Sequence, residues 1–174
     1  MQTTEALELY LDQLRADGRS PHTIAQYRRH ILLLADWLRD APIESLDPTS
    51  LAVFLGTPHA RLRPDGREKK PTALNALRSS LRTFFRFTHA AGYTPSNPAR
   101  LLRRALCTSP EPRGLSRDEE NRLEVALETA PDRDRALFRL MLRAGIRLGS
   151  VLAIEVEDVD LDDCSIRLRR TKFS

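Results

Sequence analysis

Four polar residues carry the strongest chemical signal in this sequence: Asn75, Arg78, Arg82 and Arg86, at spacings of three, four and four. At about 100° per residue they share one helix face, turned away from an apolar stripe of Leu74, Leu77, Leu81, Phe84 and Phe85. Lys69 and Lys70 precede the helix start. A helix N-terminus adds free N–H groups and the positive end of the dipole, so Lys69, Lys70 and Thr72 are expected to hold a phosphate. Asn75 and Arg78 would then approach base edges, with Arg82 extending the same surface. No acidic residue stands at i±4 to soften this face; the alternative is a solvated arginine surface with no ligand. On the preceding helix Thr23, Arg28 and Arg29, with His22 and Gln26, form a more weakly clustered companion surface.

The charge distribution supports an anionic partner. The chain has 174 residues and a formal net charge of +4, from 28 basic and 24 acidic groups. That modest total hides an asymmetry. Residues 61–104 hold nine arginines and two lysines against Asp65 and Glu68, whereas residues 113–174 hold 12 basic and 13 acidic groups. A local excess of this kind suits a phosphate backbone. Other classes are disfavoured. Cys107 and Cys164 form neither a C-x-x-C pair nor a Cys/His cluster, so no metal site or disulfide framework is expected, and a reducing, cytoplasmic setting is. No purely apolar run is longer than Ile31 to Ala35, far short of the roughly 20 residues of a membrane span, so no membrane association is expected. The seven glycines match neither a dinucleotide fingerprint nor a P-loop, so no small-molecule cofactor is expected.

The elements that must position these residues are mostly helical. Leu7, Leu11 and Leu14 mark a first helix ended by Asp17-Gly18. Ser20 as N-cap and Pro21 at the first position open a second, with Ile24, Tyr27, Ile31, Leu34 and Leu38 inward. Asp47-Pro48 repeats that signal for a shorter third helix closed by Gly56, and a polar loop from Thr57 to Pro71 leads to the arginine helix, Thr72 to Ala90. Four such helices predict a compact bundle. After Asn97-Pro98 a short helical piece through Leu101, Leu102 and Leu106 reaches a proline-containing linker, residues 108–113. Beyond it Ser116 and Glu119 predict a capping box, a further helix covers Asp134 to Ala144, and a short one spans Arg147 to Ile154. Val159 and Leu161, the turn-like Asp162-Asp163, then Ile166 and Leu168 alternate as a β-hairpin.

At this point the residues resemble a known family. Ser20-Pro21-His22-Thr23-Ile24-Ala25-Gln26-Tyr27 is similar to the S-x-x-T-I-x-x-Y signature of the core-binding domain in phage-integrase-type tyrosine recombinases. The stretch from Leu77 to Phe85, with the exit at Asn97-Pro98, resembles that domain's last long helix. Gly114-Leu115-Ser116-x-x-Glu119 looks like the entry to the catalytic domain. Ala144-Gly145-Ile146-Arg147-Leu148-Gly149-Ser150-Val151-Leu152-Ala153-Ile154, followed by Glu157 to Leu161, is like the family's T-G-L-R-x-S-E-L-L-x-L…W-x-D-I-D segment.

The resemblance implies a mainly α chain: a four-helix SAM-like core-binding domain over residues 1–107, a linker at 108–113, and over 114–174 the truncated first part of an α+β catalytic domain with a β-hairpin. It implies site-specific recombination and integration of double-stranded DNA, with other recombinase protomers as partners and without metal or nucleotide. Arg147 matches the first catalytic arginine, whose guanidinium suits two non-bridging phosphate oxygens, and Lys172 matches the hairpin lysine that protonates the leaving hydroxyl. Ser150 stands where the family usually has an acidic residue. The tyrosines are Tyr10, Tyr27 and Tyr93, all within the helical first part, and the H-x-x-R box has no counterpart. The chain alone is therefore expected to bind DNA without cleaving it. The alternative is a helical protein-interaction module, or a split recombinase half completed in trans.

Overall fold

The computed structural model describes residues 1–107 and 113–168, and the chain divides into two compact units, Met1–Ser109 and Pro110–Ser174. The expected linker, apart from Arg113, lies outside the described residues, as does Lys172.

The first unit is built from α1 (Thr3–Ala16), α2 (Pro21–Trp37), α3 (Pro48–Gly56), a single-turn α4 (Pro58–Arg61) and α5 (Pro71–Ala90). Local chemistry sets the helix starts. Ser20 accepts from the Thr23 N–H at 3.2 Å, and Asp47 from the Ser50 N–H at 2.7 Å, each followed by a proline that needs no donor. After α1 the chain reverses at Gly18, where φ of +67° is reached without the steric penalty of a side chain. The turn after α2 is pinned to the start of α1: Asp40 accepts from the Thr4 N–H and hydroxyl at 2.9 and 2.7 Å.

Leu7, Leu11, Ile31, Leu34, Leu51, Phe54, Leu81, Phe84 and Phe85 close the core between α1, α2, α3 and α5, all fully buried. Tyr10 stands at its aromatic centre, with ring centroids 5.6 Å from Tyr27, 5.5 Å from Phe84 and 5.2 Å from Phe87. Such contacts add to the area each ring removes from water. The expected loop before α5 has more order than its composition suggests. Thr57 caps α4, and residues 61–69 form a small hairpin in which Lys69 N–H donates to the Arg61 carbonyl at 2.7 Å and Arg63 N–H to the Arg67 carbonyl at 2.8 Å. The helical piece after Asn97 is a 3-10 turn, Pro98–Leu101, and the chain from Leu102 to Cys107 has no regular secondary structure.

The second unit holds α6 (Arg117–Glu128), α7 (Asp132–Ala144), α8 (Leu148–Val151) and an antiparallel pair, β1 (Val159–Asp160) and β2 (Ser165–Ile166). The predicted capping box is present: Ser116 Oγ accepts from the Glu119 N–H, and Glu119 returns a bond to the Ser116 N–H at 2.9 Å. The α6 and α7 helices are tied by Arg139 to Glu124 and by Arg143 to Glu120 and Glu124, at 2.8–3.2 Å. In the hairpin Val159 pairs with Ile166 and Asp160 with Ser165, and Asp160 Oδ1 accepts from the N–H groups of Asp162 and Asp163 at 3.0 Å. Asp162 and Asp163 are thus turn residues.

Candidate nucleic-acid interface

The α2 and α5 helices pack antiparallel in space: Thr23 shares a depression with Thr83, while His30 meets Ser80 and Leu33 shares a depression with Leu77. Their apolar stripes face the core, which leaves the polar side of α5 as the rim of a trough. One cavity of about 500 Å3 is lined by Gln26, Thr72, Asn75, Arg78, Arg82 and Arg104. A second, of about 330 Å3, shares Ser79 and Arg82 with the first and adds Arg86, Asn97 and Arg100. Five arginines therefore border these two adjoining depressions, and no carboxylate among the described residues lines them. The reason is visible in the chain itself: no Asp or Glu occurs between Glu68 and Glu111. Closely spaced guanidiniums without counter-charges concentrate positive potential and favour an anion.

The structure gathers some of the expected binding residues and separates others. Thr72, Arg78 and Arg82 line the trough. Lys70 is exposed at the N-cap of α5 without a side-chain capping bond. Lys69 is partly committed, because its ammonium donates to the Ala60 carbonyl at 2.8 Å; burial, with the nearby Arg29 cation, lowers its pKa. Arg29 is exposed and lines a separate groove with Lys69. Thr23 sits by the α2 cap with its hydroxyl 2.9 Å from Ser20 Oγ.

Two expectations are corrected. Asn75 does not reach toward base edges: it is 6% exposed, and both ends of its amide are spent on the backbone of Ala105, at 2.7 and 3.0 Å. Its position, two residues before the apolar Leu77 and three before Arg78, puts it at the border of the polar face, where the exit segment covers it. Arg28 leans the other way round α2 and pairs with Glu8 of α1 at 2.9 Å, away from the trough. Arg100 and Arg104 were absent from the expected set although they lie in the basic stretch; nothing in their local spacing shows that the chain after Asn97 folds back beside α5.

In the second unit Arg147 occupies the N-cap of α8, exposed, with its carbonyl taking the Ser150 and Val151 N–H groups. Its guanidinium makes no hydrogen bond or ion pair among the described residues. The three tyrosines are ring-packing groups: Tyr10 is 2% exposed and burial raises its pKa, Tyr27 packs on Tyr10, and Tyr93 on Phe87. Among the described residues no cluster of His, Cys, Asp or Glu could hold a metal, and no helix is long and apolar enough to cross a membrane.

Residues 7–92 match the phage integrase N-terminal SAM-like domain. The chain is 30% identical over 168 residues to tyrosine recombinase XerC of Chromobacterium violaceum, covering 95% of this chain and 54% of the relative. It is 31% identical over 172 residues to tyrosine recombinase XerA of Thermococcus kodakarensis, covering 97% and 53%. The fold is similar to that of a lambda integrase dimer bound to a COC′ core site, with a TM-score of 0.70, 25% identity, and 92% of this chain and 56% of that one covered. A lambda integrase tetramer bound to a Holliday junction shares the fold at a TM-score of 0.71 and 24% identity, over 92% and 46% of the two chains. The chain spans about half the length of the curated relatives it matches. A SAM-like helical unit, an arginine trough on its last long helix and recombinase relatives aligned along nearly the whole chain lead to one conclusion: this chain belongs to the phage-integrase-type tyrosine recombinase family.

Proposed function

We propose that the first unit grips double-stranded DNA through the trough beside α5, as part of site-specific recombination carried out with other recombinase protomers. The observation that carries this reading is the row of Arg78, Arg82, Arg86, Arg100 and Arg104, with no carboxylate among the described residues that line it. Guanidiniums bind backbone phosphates in pairs of parallel hydrogen bonds, and the loss of condensed counterions drives association. The solved lambda integrase neighbours are DNA complexes, one a dimer and one a tetramer, which supports both partners.

In the second unit Arg147, exposed on the lip of α8, is assigned to the two non-bridging oxygens of the scissile phosphate, and Lys172 to the leaving hydroxyl. Strand cleavage also needs a nucleophile. Each tyrosine of this sequence packs against another ring in the first unit, so the chain by itself forms no phosphotyrosyl bond. A second reading, a recombinase half completed by further polypeptide, is favoured by the apolar side chains the second unit leaves in water, among them Leu148, Leu152, Val156 and Leu161.

Titration of a fluorescent duplex with the protein across a salt series tests the main reading. If about four arginines each neutralise a phosphate, log K should fall with log salt at a slope of about −3.6. Absence of binding at low salt, or binding indifferent to salt, would sink it.

A further inference from the structure

The segment leaving the first unit has no regular secondary structure from Leu102 to Cys107, yet it is held by a specific device. Asn75 Nδ2 donates to the Ala105 carbonyl at 3.0 Å, and Ala105 N–H donates to Asn75 Oδ1 at 2.7 Å. One side-chain amide thus stands in for a paired strand, satisfying both backbone groups of Ala105. Asn75 Nδ2 also lies 3.5 Å from Cys107 Sγ. With Asn75 almost fully buried, each bond is shielded from competing water, and removing the amide would leave two backbone groups unpaired. A carboxylate in its place would lack the donor, and a leucine both functions.

Fixing Ala105 also fixes its neighbour Arg104, whose side chain lines the same cavity as Arg78 and Arg82. Arg104 is distant in sequence from Arg78 and Arg82, and the Asn75 bonds, beside the packing of Ala99 and Leu102 on the core, hold it next to them. Arg78 supplies an independent observation: its Nη1 is shielded from solvent and has no hydrogen-bond partner among the described residues. A buried guanidinium nitrogen without an acceptor is costly, and a phosphate oxygen in the cavity is the acceptor that the site offers room for.

We infer that Arg78, Arg82 and Arg104 form a composite site for the phosphate backbone, completed by the segment that leaves the first unit, and that Asn75 is the positioning residue that holds Arg104 in it. This rests on the duplex-binding reading and adds to it a phosphate contact made by a segment without secondary structure. It also gives Asn75 a role different from base recognition: the amide acts on the DNA only through Arg104.

The test is a thermodynamic cycle read as the salt slope of duplex binding, on the full chain. Arg104→Ala should reduce the magnitude of the slope by about one unit, the release expected for one phosphate contact. Asn75→Ala should give the same reduction, and the double variant no more than either single change. Ala105→Pro, which removes the donor to Asn75 Oδ1 while keeping the Asn75 side chain, should also reduce it, and serves where Asn75→Ala fails to fold by circular dichroism. A wild-type slope in Arg104→Ala overturns the composite site. A wild-type slope in folded Asn75→Ala or Ala105→Pro, or a double variant losing about two units, overturns the positioning role. Wild-type protein without salt-dependent binding would instead defeat the underlying DNA reading, so the two failures are distinct.

Discussion

His30 on α2 and Ser80 on α5 are joined by a 2.7 Å contact between imidazole Nδ1 and the hydroxyl. The Ser80 hydroxyl already donates to the Ala76 carbonyl at 3.1 Å, so it is free to accept from Nδ1–H, and the imidazole is neutral at pH 7 because its pKa is lowered. Burial is the main cause: it lowers the His30 pKa to about 4, with the Arg29 and Lys69 cations adding to the effect. The two helices that bear the trough are therefore tied by an uncharged hydrogen bond under a cationic surface.

Acid should destabilise the first unit by charging this buried imidazole beside Arg29 and Lys69. The unfolded imidazole takes a proton near pH 6.5 and the folded one near 4, so between these values the unfolded chain binds the extra proton and stability falls as pH is lowered. Denaturant unfolding followed from pH 7 to pH 4.5 should show this loss in the wild type, and His30→Gln should flatten it. Identical pH profiles for the two proteins would remove His30 from the linkage.

Two arginines from the expected binding set should behave differently. Arg82 borders both halves of the trough, whereas Arg28 pairs with Glu8 on another side of α2. Arg82→Ala should weaken duplex binding for all sequences and lower the salt slope by about one unit, while Arg28→Ala leaves the slope within error. Equal losses from both variants would mean that DNA contacts extend round α2 to α1. The paired reversal Arg78→Glu, Arg82→Glu should abolish binding with helicity retained by circular dichroism.

Phe84 is fully buried and meets both Tyr10 and Phe85, with centroids at 5.5 and 5.1 Å. Phe84→Ala leaves a cavity at the junction of α1 and α5 and should cost about 3–5 kcal/mol of first-unit stability, measured by urea unfolding. A loss below about 1 kcal/mol would show that the aromatic cluster relaxes to fill the space.

Arg147 is exposed, and its guanidinium supports no described neighbour. Arg147→Ala should therefore shift unfolding by no more than about 0.5 kcal/mol, as for a surface substitution. A larger loss would assign it a structural capping role in place of phosphate recognition.

The sequence by itself determined the helices, because their causes are local. Ser20 and Asp47 caps, the proline after each, the Ser116–Glu119 box and the three-four spacing of Leu7, Leu11 and Leu14 all act within a turn or two of chain. It also determined that Arg78 and Arg82 share a face, since helical periodicity needs no partner. Tertiary structure alone decided which arginines act together. Arg100 and Arg104 follow the last helix without periodicity, and only the return of residues 102–107 along α5 brings Arg104 beside Arg78. The same contact reverses the reading of Asn75: on an isolated helix its amide belongs to the polar face, but Ala105 covers it and uses both its ends. Arg28 likewise points to Glu8 because α1 packs there. Hydrogen bonds between residues 30 apart in the chain depend on where the backbone returns, which no local pattern encodes.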